Sequence, residues 1–388
     1  MDLSMPLVDG ALLATALAAF SLSVHVAFQL VARWRGRRRP AGADLPLPAI
    51  SVLKPLKGAD PGLYENLVAF VEQDYPGFEI VLAIADAMDD AVAVARQVQR
   101  DYPDAPLRIV TGAPDLGFNR KVSNLAHAAR HARHDALLVS DADVRPPRDY
   151  LRAMGRCLAS GADLVHNVIA PGGEQSLGAA LDNAQVAGFI AASVGTGAVF
   201  GQPLVIGKSM LFHRATLERL GGFHAYKDVL AEDYLIGRAF VEAGLTVELC
   251  AMPAFVHNPD RSLRAFFARH MRWLQMRRMV SPFVFACEPL LHPSPWLALL
   301  AFERPWVAGL GLSLQLLVEG LMIRHARGSA PRWWQLAALP LKDLGLLAAW
   351  VMAMVRTTVE WRGHRMRIGS GTRLTARPTA RRWPLSSL

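Results

Sequence analysis

The stretch ALLVSDAD, residues 136–143, is the most informative part of this 388-residue chain. Its apolar first half has the length of a buried strand in a parallel sheet, and Asp141 and Asp143 follow that strand. Because open α/β sheets bind ligands at the carboxyl ends of their strands, both carboxylates are expected at the ligand-binding edge. Carboxylate oxygens suit a divalent cation, and such a cation can hold phosphates. The stretch is therefore compatible with a nucleotide-linked substrate.

Around this stretch, apolar runs of strand length alternate with helical patterns. Such alternation is typical of βαβ units and predicts an α/β fold with a mainly parallel, Rossmann-like sheet. The predicted strands are residues 49–53, 80–84, 107–110, 136–139, 164–169, 204–212 and 247–250, and the predicted helices are 61–73, 90–102, 119–133, 147–158 and 232–243.

The N-terminus predicts a membrane anchor. Hydrophobic residues make up 52% of the chain, and residues 8–32 are almost continuously apolar. This segment is long enough for a membrane span, because about 20 apolar residues suffice to cross a bilayer. The basic cluster follows this segment instead of preceding it, which favours an anchor over a cleaved signal peptide. By the positive-inside rule, the N-terminus is outside and the remainder is cytoplasmic, as expected for a bacterial inner-membrane protein.

Two further apolar segments, residues 306–323 and 336–355, predict membrane spans near the C-terminus. Residues 281–302 are apolar but contain four prolines, so they are better interpreted as an interfacial or re-entrant helix. The loop between the two spans carries Arg324, Arg327 and Arg332, which does not suit an outside loop. The expected organisation is an anchor with a basic flank in 1–40, a catalytic domain in 41–280, interfacial and transmembrane helices in 281–356, and a basic cytoplasmic tail in 357–388.

The net charge of +9 is concentrated at membrane flanks and in one helical stretch. Anionic lipid headgroups are therefore the expected partner, and nucleic acid is not. The three cysteines are widely separated in the sequence, so they predict neither a disulfide framework nor a zinc site.

Other polar residues also follow predicted strands or begin predicted helices. Asp86 ends the second strand, although an Asp there is also typical of a turn or a helix cap. Glu232 and Asp233 begin a helical pattern, where acids offset the helix dipole or provide a general base for an acceptor hydroxyl. We treat Glu232 and Asp233 as candidate catalytic groups.

The most cationic helical stretch is residues 261–280. Arg269, Arg272 and Trp273 are three or four residues apart and share one face of that helix. Guanidinium groups suit the oxygens of a pyrophosphate and offset charge on a leaving nucleoside diphosphate. The alternative is an interfacial helix whose arginines contact lipid headgroups.

Together these residues resemble the motif set of family 2-like inverting glycosyltransferases with the GT-A fold. The shared motifs are an Asp after the second strand, a D-x-D, a later Glu-Asp pair and an R-x-x-R-W. Within that group, the chain is similar to the ceramide glucosyltransferases of glycosyltransferase family 21. The segments that carry this similarity are VLKPLKG (52–58), EQDYP (72–76), NRKVSNL (119–125), GKSM (207–210) and AEDY (231–234).

The resemblance implies a role for each matching residue on the donor side. Asp86 would contact uridine, and the loop beginning at Lys54 and Pro55 would cradle it. Asp141 and Asp143 would bind Mg²⁺ or Mn²⁺ bridging the diphosphate of a UDP-sugar, with Asp143 the more direct ligand.

The remaining motifs would clamp the donor and activate the acceptor. Arg269, Arg272 and Trp273 would clamp the diphosphate and enclose the sugar. Lys121 would pair with the donor, unless it is simply a solvated surface lysine. Asp233 would be the base that deprotonates the primary hydroxyl of a lipid.

The implied activity is transfer of a hexose, most simply glucose from UDP-glucose, to ceramide, with inversion at the anomeric carbon. Arg269 stands where processive polysaccharide synthases typically have Gln, which favours transfer of one sugar to one lipid. Two alternatives stay open: a transferase that adds N-acetylglucosamine to a hopanoid, and a non-catalytic membrane protein that binds nucleotide sugars.

Overall fold

The computed structural model describes residues 10–35, 45–361 and 364–376. Most of the basic flank after the first apolar segment, and the arginines of residues 377–388, lie outside these ranges.

A seven-stranded sheet forms the centre of the α/β part of the chain, in the order β3-β2-β1-β4-β7-β5-β8. Strand β7 runs antiparallel to β4 and β5, and the other neighbours are parallel. Strands β6 and β9 form a separate parallel pair. The strands are β1 Ile50–Leu56, β2 Phe78–Ile84, β3 Leu107–Thr111, β4 Ala136–Ser140, β5 Leu164–His166, β6 Ile169–Gly172, β7 Ser209–His213, β8 Val247–Leu249, β9 Ala254–His257, β10 Thr358–Trp361, β11 His364–Ile368 and β12 Leu374–Ala376.

Helices cover both faces of this sheet, as the nearly uninterrupted aliphatic sequences of β2 and β4 predict. Helices α2, α3 and α5 pack on one face, and α4 and α9 pack on the other. The helices are α1 Gly10–Arg35, α2 Leu63–Val71, α3 Asp90–Asp101, α4 Arg120–His131, α5 Tyr150–Ala159, α6 Leu177–Gln185, α7 Ala191–Val199, α8 Arg214–Arg219, α9 Glu232–Glu242, α10 Leu263–Val280, α11 Pro282–Cys287, α12 Pro293–Leu300, α13 Pro305–Arg327, α14 Trp333–Ala337 and α15 Leu339–Val355.

The expected α/β architecture with a mainly parallel sheet is confirmed, but two predicted strands are not continuous. The run 204–212 contains a strand only from Ser209, because residues 204–208 form a loop that ends in a turn at Gly207 and Lys208. The run 164–169 is divided between two sheets. Between these two strands, Asn167 Nδ2 donates to the carbonyl of Met252 at 2.6 Å. A side-chain hydrogen bond therefore replaces the backbone hydrogen bonds between strands at this point.

Four segments in the described residues are long and apolar enough to cross a membrane: Gly10–Trp34, Leu177–Val199, Pro305–Arg327 and Trp333–Val355. Three of them match the predicted spans. Leu177–Val199, which was not predicted as a span, is 83% buried inside the protein. The proline-rich segment forms two helices, Pro282–Leu291 and Pro293–Leu300, bent by 44°, as a broken span or a re-entrant loop would be.

Helices α1 and α13 pack parallel to each other. Ala11 clusters with Ala308 near one end, and Val26 and Phe28 pack near Val318 towards the other. The C-terminal end of α13 therefore lies beside the end of α1 that leads into the catalytic domain.

The loop that joins the last two apolar segments lies on the side of the catalytic domain. Arg327 Nη1 donates to Glu174 Oε1 at 2.8 Å, and Gln335 Nε2 donates to the same oxygen at 2.7 Å. Helix α15 then runs alongside α10, since Phe266 packs with Leu346 and Leu274 packs with Ala353. The loop thus lies on the same side as Glu174, whereas in a simple hairpin of two spans it would lie on the opposite side of the membrane. A basic loop suits this position, because loops on the cytoplasmic side carry an excess of Lys and Arg.

The described residues of the segment expected as a basic tail, 357–361 and 364–376, include a small antiparallel sheet, β10-β11-β12. It packs on the loop that precedes α9: Leu230 N donates to the carbonyl of Thr372 at 3.0 Å, and Ala231 N donates to Thr372 Oγ1 at 3.2 Å. Residues near the C-terminus therefore support the start of the helix that carries Glu232 and Asp233.

Candidate active site

Lys54 lies beneath the D-x-D segment. Its Nζ donates to the carbonyl of Asp141 at 2.8 Å and to Ser140 Oγ at 3.2 Å, and it sits 4.0 Å from the ring centre of Phe70. Burial lowers the pKa of Lys54 to about 7, although nearby aspartates oppose that change. The side chain thus fixes the backbone that presents the two aspartates.

The expected loop at Lys54 and Pro55 begins later than predicted. Strand β1 continues to Leu56, which pairs with Ile84 at the end of β2, so both residues lie within the strand. The following loop is tied to the next one, because Gly58 N donates to Asp89 Oδ1 at 2.7 Å. Asp89 also caps α3 by accepting from Ala91 N at 2.9 Å.

Asp141 and Asp143 follow β4 and face lysines from two other elements. Lys121 Nζ lies 2.8 Å from Asp141 Oδ1, and Lys208 Nζ lies 3.7 Å from Asp141 Oδ2. The same ammonium group of Lys208 lies 2.6 and 2.5 Å from the two oxygens of Asp143. Burial alone raises the pKa of Asp141, but Lys121 and Lys208 outweigh it and hold the pKa at about 2.

Lys121, on α4, is part of the cleft and not a solvated surface lysine. Besides Asp141, its ammonium pairs with Glu232 Oε1 at 3.0 Å and donates to the carbonyl of Gly207 at 3.2 Å. Asn119 caps the same helix through Val122 N and donates from Nδ2 to Glu232 Oε2 at 3.0 Å. Glu232 is thereby held on both oxygens and acts as an anchor between α4 and α9.

Asp233 has a different environment from Glu232. Its Oδ2 accepts from the backbone N–H of Gly207 at 2.6 Å, and its Oδ1 accepts from the backbone N–H of Tyr234 at 2.8 Å. Burial, reinforced by the charge of Glu232, raises the pKa of Asp233 to about 6. Of the two candidate catalytic acids, Asp233 therefore has the properties of a general base near neutral pH.

Gly207 allows this close approach. A Cβ at this position would lie 2.8 Å from Lys121 Nζ and 2.9 Å from Asp233 Cβ. Any larger residue would separate the turn at Gly207 and Lys208 from the acidic residues that face it.

The R-x-x-R-W face of α10 is organised by an acid from α6. Arg269 Nη1 lies 2.8 Å from Asp182 Oδ2, and the Arg269 guanidinium stacks 4.5 Å from the ring centre of Trp273. The same buried carboxylate pairs with Arg261 Nε at 3.2 Å and with His270 Nε2 at 3.0 Å. Two guanidinium groups and one imidazole ring thus hold this carboxylate against α10.

The remaining candidates occupy the expected elements. Asp86 is exposed at the end of β2, where its carboxylate accepts from Met88 N at 2.9 Å, so it forms a turn and also faces solvent. Arg272 is half-buried on α10.

Sequence reasoning missed three residues of the site: Asn119 as the partner of Glu232, Lys208 as the partner of the D-x-D, and Asp182 as the partner of Arg269. Lys208 and Asn119 lie in segments noted above as family-like, but no local pattern showed what they contact. Asp182 had a signal, since it is the one charged residue of helix α6, Leu177–Gln185.

The two D-x-D carboxylates fit a divalent cation in their chemistry. They converge on one positive group, the ammonium of Lys208, and their hard oxygens are the ligands that Mg²⁺ and Mn²⁺ accept. In the described residues, no group of three or more His, Cys, Asp or Glu side chains is arranged to hold a metal ion. The rest of a coordination shell would therefore come from water and substrate oxygens, as is usual for Mg²⁺.

Comparisons with a family model and with curated proteins point to the same family. The model of glycosyl transferase family 21 matches residues 13–374. The chain is 25% identical to ceramide glucosyltransferase 3 of Caenorhabditis elegans over 336 residues, covering 83% of this chain and 73% of that protein. It is 28% identical to ceramide glucosyltransferase 1 of the same organism over 249 residues, covering 64% of this chain and about half, 53%, of that protein.

Among solved structures, the chain resembles the mannosyltransferase PcManGT from Pyrobaculum calidifontis, which was solved with GDP-Man and Mn²⁺. The TM-score is 0.52 at 22% sequence identity, and the match covers 88% of this chain and 99% of the other. This similarity identifies the fold as that of a GT-A glycosyltransferase.

Proposed function

The chain belongs to glycosyl transferase family 21, and we propose that it transfers a hexose, with glucose the first candidate, from a UDP-sugar to the primary hydroxyl of ceramide. One observation carries the proposal: a carboxylate with a pKa raised to about 6, Asp233, lies in the cleft beside a D-x-D held by lysines. That combination suits deprotonation of an alcohol next to a diphosphate leaving group.

In this mechanism, Asp233 accepts the proton of the acceptor hydroxyl as its oxygen attacks the anomeric carbon. The bond from that carbon to the diphosphate oxygen breaks on the opposite face, so UDP leaves with the bonding electron pair and the configuration inverts. The hydrogen bonds from Gly207 and Tyr234 keep the Asp233 carboxylate oriented during this step. Glu232, paired with Lys121 and Asn119, holds the start of α9 in place.

Asp141 and Asp143 would hold the divalent cation, Mg²⁺ or Mn²⁺. When bound, such a cation neutralises charge that develops on the leaving diphosphate. Lys54 supports the same segment from below through the carbonyl of Asp141.

Arg269, Arg272 and Trp273 are proposed to close over the donor. Asp182 holds one end of the Arg269 guanidinium and Trp273 stacks on its face, so the arginine is preorganised without a large entropy loss on binding. Asp86, exposed at the end of β2, is the proposed contact for uridine.

The acceptor is proposed to reach the cleft from the bilayer. Helix α10 carries Arg269 and packs along the apolar helix α15, and the bent pair α11–α12 follows it directly. A lipid held in the membrane could thus present its hydroxyl without leaving the interface. We place the catalytic domain and residues 357–376 on the cytoplasmic side of a bacterial inner membrane, from the basic flank after α1 and the basic loop at the end of α13.

Mass spectrometry of lipid products tests this proposal. The purified full-length chain is incubated with either ceramide or a hopanoid, in each case with a panel of UDP-glucose, UDP-galactose, UDP-glucuronic acid and UDP-N-acetylglucosamine. We expect a β-hexosylceramide with one of the hexose donors, together with release of UDP that requires the acceptor. Product formed only from UDP-N-acetylglucosamine and a hopanoid would replace ceramide with the alternative acceptor. Donor binding with no product from either lipid would identify a non-catalytic binding protein.

A further inference from the structure

A lysine ammonium occupies the point at which the two D-x-D carboxylates converge. Lys208 Nζ contacts both oxygens of Asp143, at 2.6 and 2.5 Å, and lies 3.7 Å from Oδ2 of Asp141. Its side chain is only 11% exposed. Carboxylate oxygens bind Mg²⁺ at about 2.0–2.1 Å. A metal ion shared by both aspartates would therefore need the space that this ammonium fills.

The backbone around Lys208 is held more firmly than its side chain. Gly207 N donates to Asp233 at 2.6 Å, the carbonyl of Gly207 accepts from Lys121 at 3.2 Å, and β7 begins at Ser209. The lysine stem, in contrast, has four flexible carbons. The ammonium can therefore leave the aspartates by side-chain rotation alone, with the turn and Asp233 unmoved.

We propose that Lys208 is the resident counter-ion of the D-x-D pair and that a divalent cation must displace it, which happens when the nucleotide binds. The inference rests on the proposed function for the identity of that nucleotide. Without nucleotide, the displaced ammonium would face a dication and lose two carboxylate contacts. With nucleotide, the diphosphate provides negative oxygens for the metal and for the displaced lysine, so metal and nucleotide bind cooperatively.

Displacement of Lys208 only when the nucleotide binds would help the reaction in two ways. Lys208 neutralises Asp143 in the empty enzyme and shares Asp141 with Lys121, so the two half-buried carboxylates do not repel each other. It also adds a second positive group next to the leaving diphosphate once it has moved. The displaced lysine is thus a positioning and charge-balancing residue for donor binding.

Manganese binding to the full-length chain in detergent tests the inference, with free Mn²⁺ measured by electron paramagnetic resonance. In the wild-type chain, UDP is expected to tighten Mn²⁺ binding on the order of tenfold or more, because it relieves repulsion at contact distance. Lys208→Met is expected to bind Mn²⁺ without UDP about tenfold more tightly than the wild type, with a smaller further gain from UDP. Lys227→Met is the matched control: Lys227 is half-buried and is not one of the lysines that pair with Asp141 or Asp143, so this variant should behave like the wild type.

Two further variants keep the result decisive. Lys208→Gln should shift Mn²⁺ affinity in the same direction as Lys208→Met and serves if the methionine variant does not fold. Adding Asp143→Asn to Lys208→Met should remove the gain, which locates it at the D-x-D.

Unchanged Mn²⁺ affinity in folded Lys208 variants would overturn the inference, as would wild-type binding that is equal with and without UDP. The measurement needs neither sugar nor lipid acceptor. A wrong acceptor or sugar would therefore appear only in the product assay, and a wrong role for Lys208 only in the metal titration.

Discussion

Lysine and carboxylate side chains form two clusters in the described part of the protein, one in the cleft and one between the apolar helices. The cleft cluster consists of Lys54, Lys121, Lys208, Asp141, Asp143, Glu232 and Asp233. The bundle cluster consists of Glu319 on α13, Lys342 and Asp343 on α15, and His292 at the start of α12. Lys342 Nζ lies 3.1 Å from Glu319 and 2.7 Å from Asp343, and His292 Nδ1 lies 3.3 Å from Asp343.

The two clusters differ in access to solvent. In the bundle cluster, the side chains of Glu319, Lys342, Asp343 and His292 are at most 1% exposed. In the cleft, Asp141 is 28% exposed and Asp143 is 36% exposed. Charges that no solvent or ligand can reach can only bind each other, so the bundle cluster ties three apolar helices together. Charges at an open edge can exchange partners, and this is what a site for a charged donor requires.

The largest expected effect comes from removing the base in the cleft. Asp233→Asn keeps the shape of the side chain but cannot accept a proton, so glycosyl transfer should fall about 10²–10⁴-fold. Donor binding should change little, since Asp141 and Asp143 are unaltered and the remaining side-chain oxygen can still accept from the N–H of Gly207 or of Tyr234. Initial rates of product formation and UDP binding by calorimetry measure the two quantities.

Asp135→Asn, at the opposite end of β4, is the matched control for this prediction and should retain transfer. Loss of UDP binding together with activity in Asp233→Asn would show that Asp233 builds the donor pocket instead of acting as the base.

The next effect concerns stability. Lys342→Met leaves Glu319 and Asp343 buried with no ammonium between them, which costs about 3–5 kcal/mol for a broken buried ion pair. A fall of several degrees in Tm, measured in detergent, is the expected result, whereas Lys227→Met should leave Tm unchanged. If Lys342→Met unfolds at the wild-type temperature but loses transfer, the bundle cluster has a role in the reaction and the contrast with the cleft fails.

The smallest effect is a pH dependence that should belong to the cleft alone. Asp233 is active when ionised, and its pKa is raised to about 6, so kcat/KM should fall about tenfold per pH unit below about pH 6. Binding of the intact UDP-sugar should stay nearly constant across that range, because its diphosphate lacks the terminal phosphate group that titrates at about pH 6 in UDP. An acidic limb at pH 4, the ordinary range of an Asp, would show that burial does not perturb this carboxylate.

The fold could be predicted in outline because its signals are local. The aliphatic runs of β1, β2 and β4, the helical patterns between them and the apolar lengths of α1 and α13 all depend on residues close in sequence. The D-x-D, the Glu-Asp pair and the R-x-x-R-W were found for the same reason. The strand predicted at 204–212 failed because a turn at Gly207 and Lys208 interrupts an otherwise apolar run.

The sequence by itself determined that the chain is an α/β protein with apolar helices at both ends and acids at its strand ends. Only the tertiary structure showed that Lys208 faces the D-x-D, that Asp182 holds Arg269, and that Asp233 has a raised pKa. It also placed the basic loop after α13 beside Glu174 and the segment around Thr372 against the start of α9. Each of these pairings joins residues far apart in the chain, and the charge and burial that give a side chain its chemistry come from such neighbours in space.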